Sequence, residues 1–249
     1  MTKTALTLMT YNVHGCAGRD GKVSPYRIAD VIAQYTPDVV SLQELDMGRV
    51  RSGRIDQPGI IARHLNMDFH FSPAFRLEEE LYGNAVLSRL PIRLIKSGLL
   101  PTVTGRGRLE MRSALWVAVS WGETEIQIVN THMGLNRYER LVQAKCLLDE
   151  DWLGNPLCTP PKILCGDFNL SPAASPYRIF REFLHDAQIL HGKKPLKTWP
   201  SIFPITRIDH VFTSEHFTVE KVDVPRNRLS RIASDHLPLT VWLKLAEKI

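Results

Sequence analysis

Residues 164–172 read LCGDFNLSP, where the apolar run Lys162–Cys165 breaks into Gly166-Asp167-Phe168-Asn169 and then a proline loop. A short, nearly continuous apolar run of this kind reads as a strand covered on both faces. Asp167 and Asn169 fall just past its end, where a fold displays reactive side chains rather than packing. An Asx-type turn into Pro172 is the ordinary alternative. The same pattern recurs along the chain. Asn12 closes Ala5–Val13, Glu44 follows Asp38–Leu42, and His132 ends Ile126–Thr131. Asp209 lies inside Arg207–Thr213, and Asp235-His236 opens the final strand, His236–Leu243. Each has a bland reading as a turn or rim residue; six of them at strand ends call for one common explanation.

Further strands are expected at Asn84–Arg89, Ile92–Lys96 and Thr218–Val224, with Ala114–Trp121 and Glu125–Thr131 forming a hairpin across Gly122-Glu123-Thr124. Ser24-Pro25 reads as an N-cap and first helical residue, followed by Ile28, Val31, Ile32 and Tyr35 on one face. Arg137–Leu153 is expected as a helix burying Leu141, Leu148 and Trp152; Ile60–Leu65 and Pro176–Leu184 are shorter candidates. Strands outnumber helices, and the helices are spread along the chain. That favours packed sheets with helices outside over a parallel βαβ ladder. No linker or low-complexity tract interrupts residues 1–249, which are read as one domain.

Composition narrows the class. With 44% hydrophobic and 23% charged residues the chain is neither disordered nor a disulfide scaffold. Lys+Arg minus Asp+Glu is 31 − 26 = +5, a mild excess, and 20 of the 31 cations are arginine. Arginine is the better planar partner for phosphate. The four cysteines lack CxxC spacing and are expected as reduced thiols in a cytoplasmic protein. No signal peptide is read at the N-terminus, and no run nears the roughly 18 apolar residues of a membrane span, so membrane contact would be peripheral. P-loop, dinucleotide, HExxH and GxSxG motifs are absent, which sets aside nucleotide-driven, zincin and serine-hydrolase chemistry.

Carboxylates and amide oxygens without thiolates favour Mg²⁺, or alternatively Mn²⁺, over zinc. A hard cation held by few carboxylates is typical where the substrate supplies phosphate oxygens. An imidazole near a second carboxylate suits proton transfer close to neutral pH. Asp209, set between apolar neighbours, needs a histidine, arginine or metal as partner. The residues alone thus lead to metal-assisted phosphoester chemistry.

Seven stretches carry a resemblance: MTYNVHG (9–15), DVVSLQELD (38–46), GNAVLSRLPI (83–92), IVNTHMG (128–134), LCGDFNLSP (164–172), TRIDHVF (206–212) and SDHLPLTV (234–241). In this order the chain resembles the endonuclease/exonuclease/phosphatase superfamily, the metal-dependent phosphoesterases related to deoxyribonuclease I. The resemblance implies an α+β fold: a four-layer αββα sandwich of two mixed sheets with the site at one edge. It implies Glu44 as principal metal ligand, with Asn12 assisting and Asp235 beside the metal. Asp167 would activate water, Asn169 and His132 would bind the scissile phosphate, and His236, held by Asp209, would act on the phosphate or a proton. Arg112, in RGRLEMR (106–112), and Asn84 are the candidate substrate-binding residues. The Trp199–Asp209 stretch, WPSIFPITRID, lacks the W-R-x-D form of abasic-site nucleases and looks more like the bacterial and sphingomyelinase-like branches.

That favours a phospholipid headgroup or small phosphodiester as substrate, with a DNA or RNA nuclease as the alternative and no obligate protein partner. A non-catalytic binding scaffold is the rival from another class, but such descendants lose catalytic residues and here the matched set is complete. A calcineurin-type dimetal phosphatase needs DxH, GDxxD and GNH in order, and these appear out of order and incomplete.

Overall fold

The computed structural model describes residues 5–103 and 110–246. Arg106 and Arg108 of the 106–112 arginine group lie outside them. Among the described residues one sheet contains β1 (Leu6–Asn12), β2 (Val39–Met47), β3 (Asp68–Leu77), β4 (Glu80–Ser88), β11 (Phe217–Asp223) and β12 (Leu239–Leu245). Its order is β11-β12-β1-β2-β4-β3. The second contains β5 (Ile92–Leu99), β6 (Ser113–Trp121), β7 (Thr124–His132), β8 (Lys162–Asp167), β9 (His185–Asp186) and β10 (Asp209–Thr213), ordered β5-β6-β7-β8-β10-β9. Both are mixed: β1 runs parallel to β2 and antiparallel to β12, and β8 runs parallel to β7 and antiparallel to β10.

Strand alternation sorts the side chains into layers. Leu6 and Leu8 of β1 join Val117, Ile128, Ile163, Val211 and Leu239 between the sheets, while Met9 and Tyr11 face outward. The outer face of the first sheet is covered by α1 (Pro25–Ala33) and α2 (Gln57–Leu65), through Ile28, Ile32 and Ile61. On the second sheet, α3 (Arg137–Leu148) and α4 (Ser175–Phe183) set Ala144, Leu147 and Phe180 against Trp116, Val129 and Phe212. Fully burying one such aliphatic or aromatic side chain stabilises by about 1.5–3 kcal/mol. The result is the expected αββα sandwich. A short α5 (Ala187–Leu190) leads out of β9, and α6 (Arg228–Ala233) packs beside α1. As its sequence implies, α1 opens with Pro25 behind Ser24, whose Oγ accepts from the Arg27 amide.

Three local expectations are corrected. β3 is not foreseen from its sequence, which carries Pro73; as an edge strand it tolerates the missing donor, and its pairing slips between Pro73 and Phe75. The helix expected over 137–153 ends at Leu148, and its fully buried stripe is Glu139, Gln143, Ala144 and Leu147; Leu148 is half-buried against the same core, and Trp152 is buried there from beyond the helix. Gln143 can be buried because it accepts from the Gly134 amide (2.8 Å) and donates to Pro101 O (3.2 Å). Asp235 and His236 precede the final strand instead of opening it. Pro238, lacking an N–H, delays the ladder until Leu239. Among the described residues no helix is long and apolar enough to cross a membrane.

Candidate active site

Sheet register places His132 opposite Asp167, and Asp167 opposite Asp209, so these three are lateral neighbours across β7, β8 and β10. Each ends or begins an inward-facing row. Ile126, Ile128 and Asn130 precede His132; Ile163 and Cys165 precede Asp167; Val211 follows Asp209. From the facing sheet, the row Leu6, Leu8, Thr10 ends at Asn12. The inter-sheet layer therefore turns from aliphatic to polar toward one edge. Behind that edge, Asn130 donates to Leu42 O (3.0 Å) and Ala85 O (2.9 Å) and accepts from Gln43 Nε2 (2.8 Å), stitching the two sheets together. Gly166 has φ 144°, and a Cβ there would collide with Thr131 O, so the strand before Asp167 needs glycine.

Glu44 reaches the same point by a different device. β2 slips its register on β4 between Leu42 and Leu45, and Glu44 within that irregularity takes φ 61°. Bulges of this kind re-aim a side chain next to active sites. Asn169 likewise adopts φ 51°, its amide N–H donating to Asp167 Oδ1 (2.9 Å). The Asn12 amide donates to both Glu44 Oε1 and Asp167 Oδ2, each at 2.9 Å.

The electrostatics separate the groups by role. Burial pushes the Asp167 carboxyl up, and the Asp209 charge adds to this, with His236 opposing. Burial alone would raise Glu44 too, but hydrogen bonds, from His14 first and from Asn12, hold it well below the usual carboxylate range. His236 is buried, yet Asp209 and Asp167 outweigh that cost and raise it to about 10, so it carries a proton at neutral pH. Its Nδ1 lies 3.0 Å from Asp209 Oδ2 and its Nε2 lies 3.6 Å from Asp167 Oδ2. His132 is the opposite case: burial, then the Arg112 charge, lower it to about 3. Donors approach both ring nitrogens, Arg112 Nη1 at 3.1 Å from Nδ1 and Asn169 Nδ2 at 3.0 Å from Nε2. A neutral ring offers one lone pair, and the charged guanidinium is the stronger claimant, which places the proton on Nε2. That nitrogen faces Asp167 Oδ2 at 3.5 Å and Glu44 Oε1 at 3.8 Å, with Asn169 Nδ2 beside it at 3.0 Å.

Ligand atoms of Glu44, His132 and Asp167, and of Asp167, Asp209 and His236, each gather within 4.8 Å. Three carboxylates share this pocket with one protonated imidazole, and crowded negative charge of that kind favours a bound cation. Hard oxygen donors without a thiolate fit Mg²⁺ or Mn²⁺. Asp235 lies at the mouth, its Oδ1 3.8 Å from His14 Nδ1, which also sits 3.5 Å from Glu44 Oε2. Arg112 is buried against His132 and Glu110 rather than solvated in a loop. Asn84 stays outside the cluster; its amide donates to Ser113 O (2.9 Å) and Ser113 Oγ (3.2 Å), one residue past Arg112.

Sequence reading missed three participants. His14 bridges Glu44 and Asp235, Thr198 donates to Asp209 Oδ2, and Trp199 Nε1 approaches Asp235 Oδ2 at 3.4 Å. His14 stands two residues past Asn12 in the quoted MTYNVHG stretch, and Thr198-Trp199 opens the proline-rich loop, so both had a signal in the sequence. Beside Glu44 opens a cleft of about 320 Å³, lined by His14, Asp46, Arg51, Tyr82 and Glu110.

The whole fold is shared with solved structures. An endonuclease/exonuclease/phosphatase family protein from Bacteroides thetaiotaomicron aligns with TM-score 0.78 at 22% identity, over 98% of each chain. The mannosyl-6-phosphatase of the same bacterium gives 0.76 at 22%, covering 96% of this chain and 99% of that one. The human Nocturnin catalytic domain gives 0.72 at 21%, covering 97% and 94%. In sequence, the Escherichia coli K12 protein YbhP, described as uncharacterized, is 26% identical over 96% of each chain. With residues 9–236 matching its pattern, the chain belongs to the Endonuclease/Exonuclease/phosphatase family.

Proposed function

We propose that this chain, one domain over residues 1–249, is a divalent-metal-dependent hydrolase of phosphodiesters, with a phospholipid headgroup or small diester as preferred substrate. The observation that carries this reading is the row His132, Asp167, Asp209 on one sheet, closed over by Asn12, Glu44 and His236. Glu44, with Asn12 and Asp235 near it, would hold Mg²⁺ or Mn²⁺. When bound, the ion would neutralise charge building up on the phosphate oxygens.

The protein's own groups do the rest. Water attacks phosphorus in line with the departing ester oxygen; one P–O bond forms as the opposite one breaks. Asp167, whose buried carboxyl binds a proton more readily than a free one, takes the water's proton. His236, protonated and oriented by Asp209, stabilises the negative charge or donates a proton. His132 Nε2–H and the Asn169 amide grip the non-bridging oxygens, and Arg112 fixes the His132 tautomer.

The preference for a small diester or lipid headgroup over DNA rests on the modest net charge and on the Trp199–Asp209 segment. The decisive experiment is a metal-supplemented panel on bis-p-nitrophenyl phosphate, abasic DNA, RNA and phospholipid vesicles. Hydrolysis of the soluble diester that EDTA abolishes and Mg²⁺ restores is the expected result. Full turnover without metal would refute it.

A further inference from the structure

The segment linking Thr198 to Asp209 places large apolar side chains in water. Trp199 is 37% exposed, Ile202 52%, Phe203 75% and Ile205 51%. This is not a loose loop. Its neck is closed by the Trp199 and Thr206 backbones, and the Ile205 amide donates to Trp199 O (2.9 Å). Ser201, fully buried, donates through Oγ to Ser234 O (2.7 Å) with Arg231 O also in reach (3.0 Å), and its amide donates to Asp235 O. The apolar tip is therefore held out in a fixed position, next to the mouth of the candidate active site. Singly exposed apolar residues are normal, but a contiguous, rigidly anchored group of them marks an interaction site.

The chemistry around the tip says what it meets. Ile202 and Phe203 line a groove of about 510 Å³ together with Lys194, Lys197, Arg226 and Arg231. Among the described residues none of these four cations is in an ion pair. An apolar prong flanked by unpaired Lys and Arg matches a surface whose interior is hydrocarbon and whose face is anionic. Single-stranded nucleic acid would also meet the cations, but it wants aromatic stacking platforms, and two of the four exposed side chains are isoleucines.

We infer that the 199–205 loop is a membrane-docking element. Trp199, Ile202, Phe203 and Ile205 enter the headgroup region of an anionic phospholipid surface, and the groove cations meet its phosphates. The docked enzyme would then present its Asp235 mouth to the bilayer. That last use rests on the phosphodiester reading above; the docking itself does not.

The test is vesicle co-sedimentation of the full chain in EDTA, so that turnover plays no part. Vesicles of equimolar phosphatidylcholine and phosphatidylglycerol should bind the protein and pure phosphatidylcholine should bind it weakly. Each neutralised Lys or Arg should weaken binding about fivefold, so K194Q/R226Q should lose on the order of 20-fold. I202S/F203S should lose at least tenfold with an unchanged unfolding midpoint, since both side chains are already more than half exposed. Equal binding of wild type and I202S/F203S, no binding to anionic vesicles, or stronger retention by single-stranded DNA would each overturn the inference. A chain that fails on vesicles yet hydrolyses bis-p-nitrophenyl phosphate would lose this surface and keep its catalytic reading.

Discussion

His236 Nδ1 lies 3.0 Å from Asp209 Oδ2, with both residues buried and Thr198 donating to the same carboxylate oxygen. The pair joins the loop before β12 to the start of β10, across the gap between the two sheets. A buried carboxylate with two such donors keeps the imidazole protonated and fixes its orientation.

Asp209→Asn should therefore lower His236 from about 10, because its largest partner is lost and only the Asp167 and Asp235 charges still oppose burial. NMR titration of the metal-free protein reads this directly. The sign for stability follows from linkage. A raised histidine value contributes stability that is full below 6.5 and is lost as pH rises through about 10. Wild type should thus lose stability toward alkaline pH over that window, and the variant should lose less. An unshifted His236 in Asp209→Asn would show that the pair does not control its charge.

Asp167→Asn should fold normally, since shape and most hydrogen bonds survive, while turnover on a soluble diester falls about 10²–10⁴-fold. Steady-state rates at saturating Mg²⁺ measure it. Retention of more than about a tenth of the wild-type rate would move proton transfer to another group.

Glu44→Gln should act on metal affinity before it acts on the saturated rate. The amide keeps an oxygen donor but loses the charge that holds a hard cation. The Mg²⁺ concentration for half-maximal activity should rise. Asp46, the nearest substitute in sequence, is already bound to Arg51 through both carboxylate oxygens, at 2.7 and 2.8 Å. An unchanged metal-dependence curve would remove Glu44 from the ligand set.

The strand-end residues were legible because alternation and polarity are local. Leu6, Leu8 and then Asn12 on one face of β1 can be read without knowing the partner strand. What lay beyond reach is set by pairing. Glu44 arrives through a register slip between β2 and β4, and Asn12 meets Asp167 across 155 residues of sequence. No window of the chain contains either event. The placements of Asn84 and Arg112 differ for the same reason: both sit near one another through Ser113, but only Arg112 extends to His132. β3 was hidden by Pro73, which only an edge position excuses.

Asn130→Ala should be costly although it touches no substrate-facing group. Its amide satisfies two carbonyls of the opposite sheet, Leu42 O and Ala85 O, and its oxygen accepts a hydrogen bond from Gln43 Nε2. Stranding buried polar atoms costs about 1–3 kcal/mol each, so a loss of about 2–4 kcal/mol is expected in urea unfolding. A change within about 0.5 kcal/mol would mean that the sheets are not joined there.

The last prediction concerns how the substrate is held. A duplex-DNA enzyme neutralises many phosphates, and six to ten contacts cost on the order of 10³–10⁵ in affinity between about 50 and 200 mM salt. Here Arg49, Arg51 and Arg112 are committed elsewhere: Arg49 lies over the Phe75 ring at 4.9 Å, Arg51 is bound to Asp46, and Arg112 supports His132. One or two cations at the scissile phosphate suffice for a small diester, and its kcat/KM should fall only a few-fold over the same salt range. Arg112→Ala should lower kcat/KM further, by releasing His132 Nδ1 and with it the tautomer that points Nε2–H at the phosphate. The comparison is kcat/KM for bis-p-nitrophenyl phosphate and abasic duplex DNA, each at low and physiological salt. Efficient, steeply salt-sensitive incision of the DNA would reverse the substrate preference and leave a nuclease in place of a small-diester enzyme.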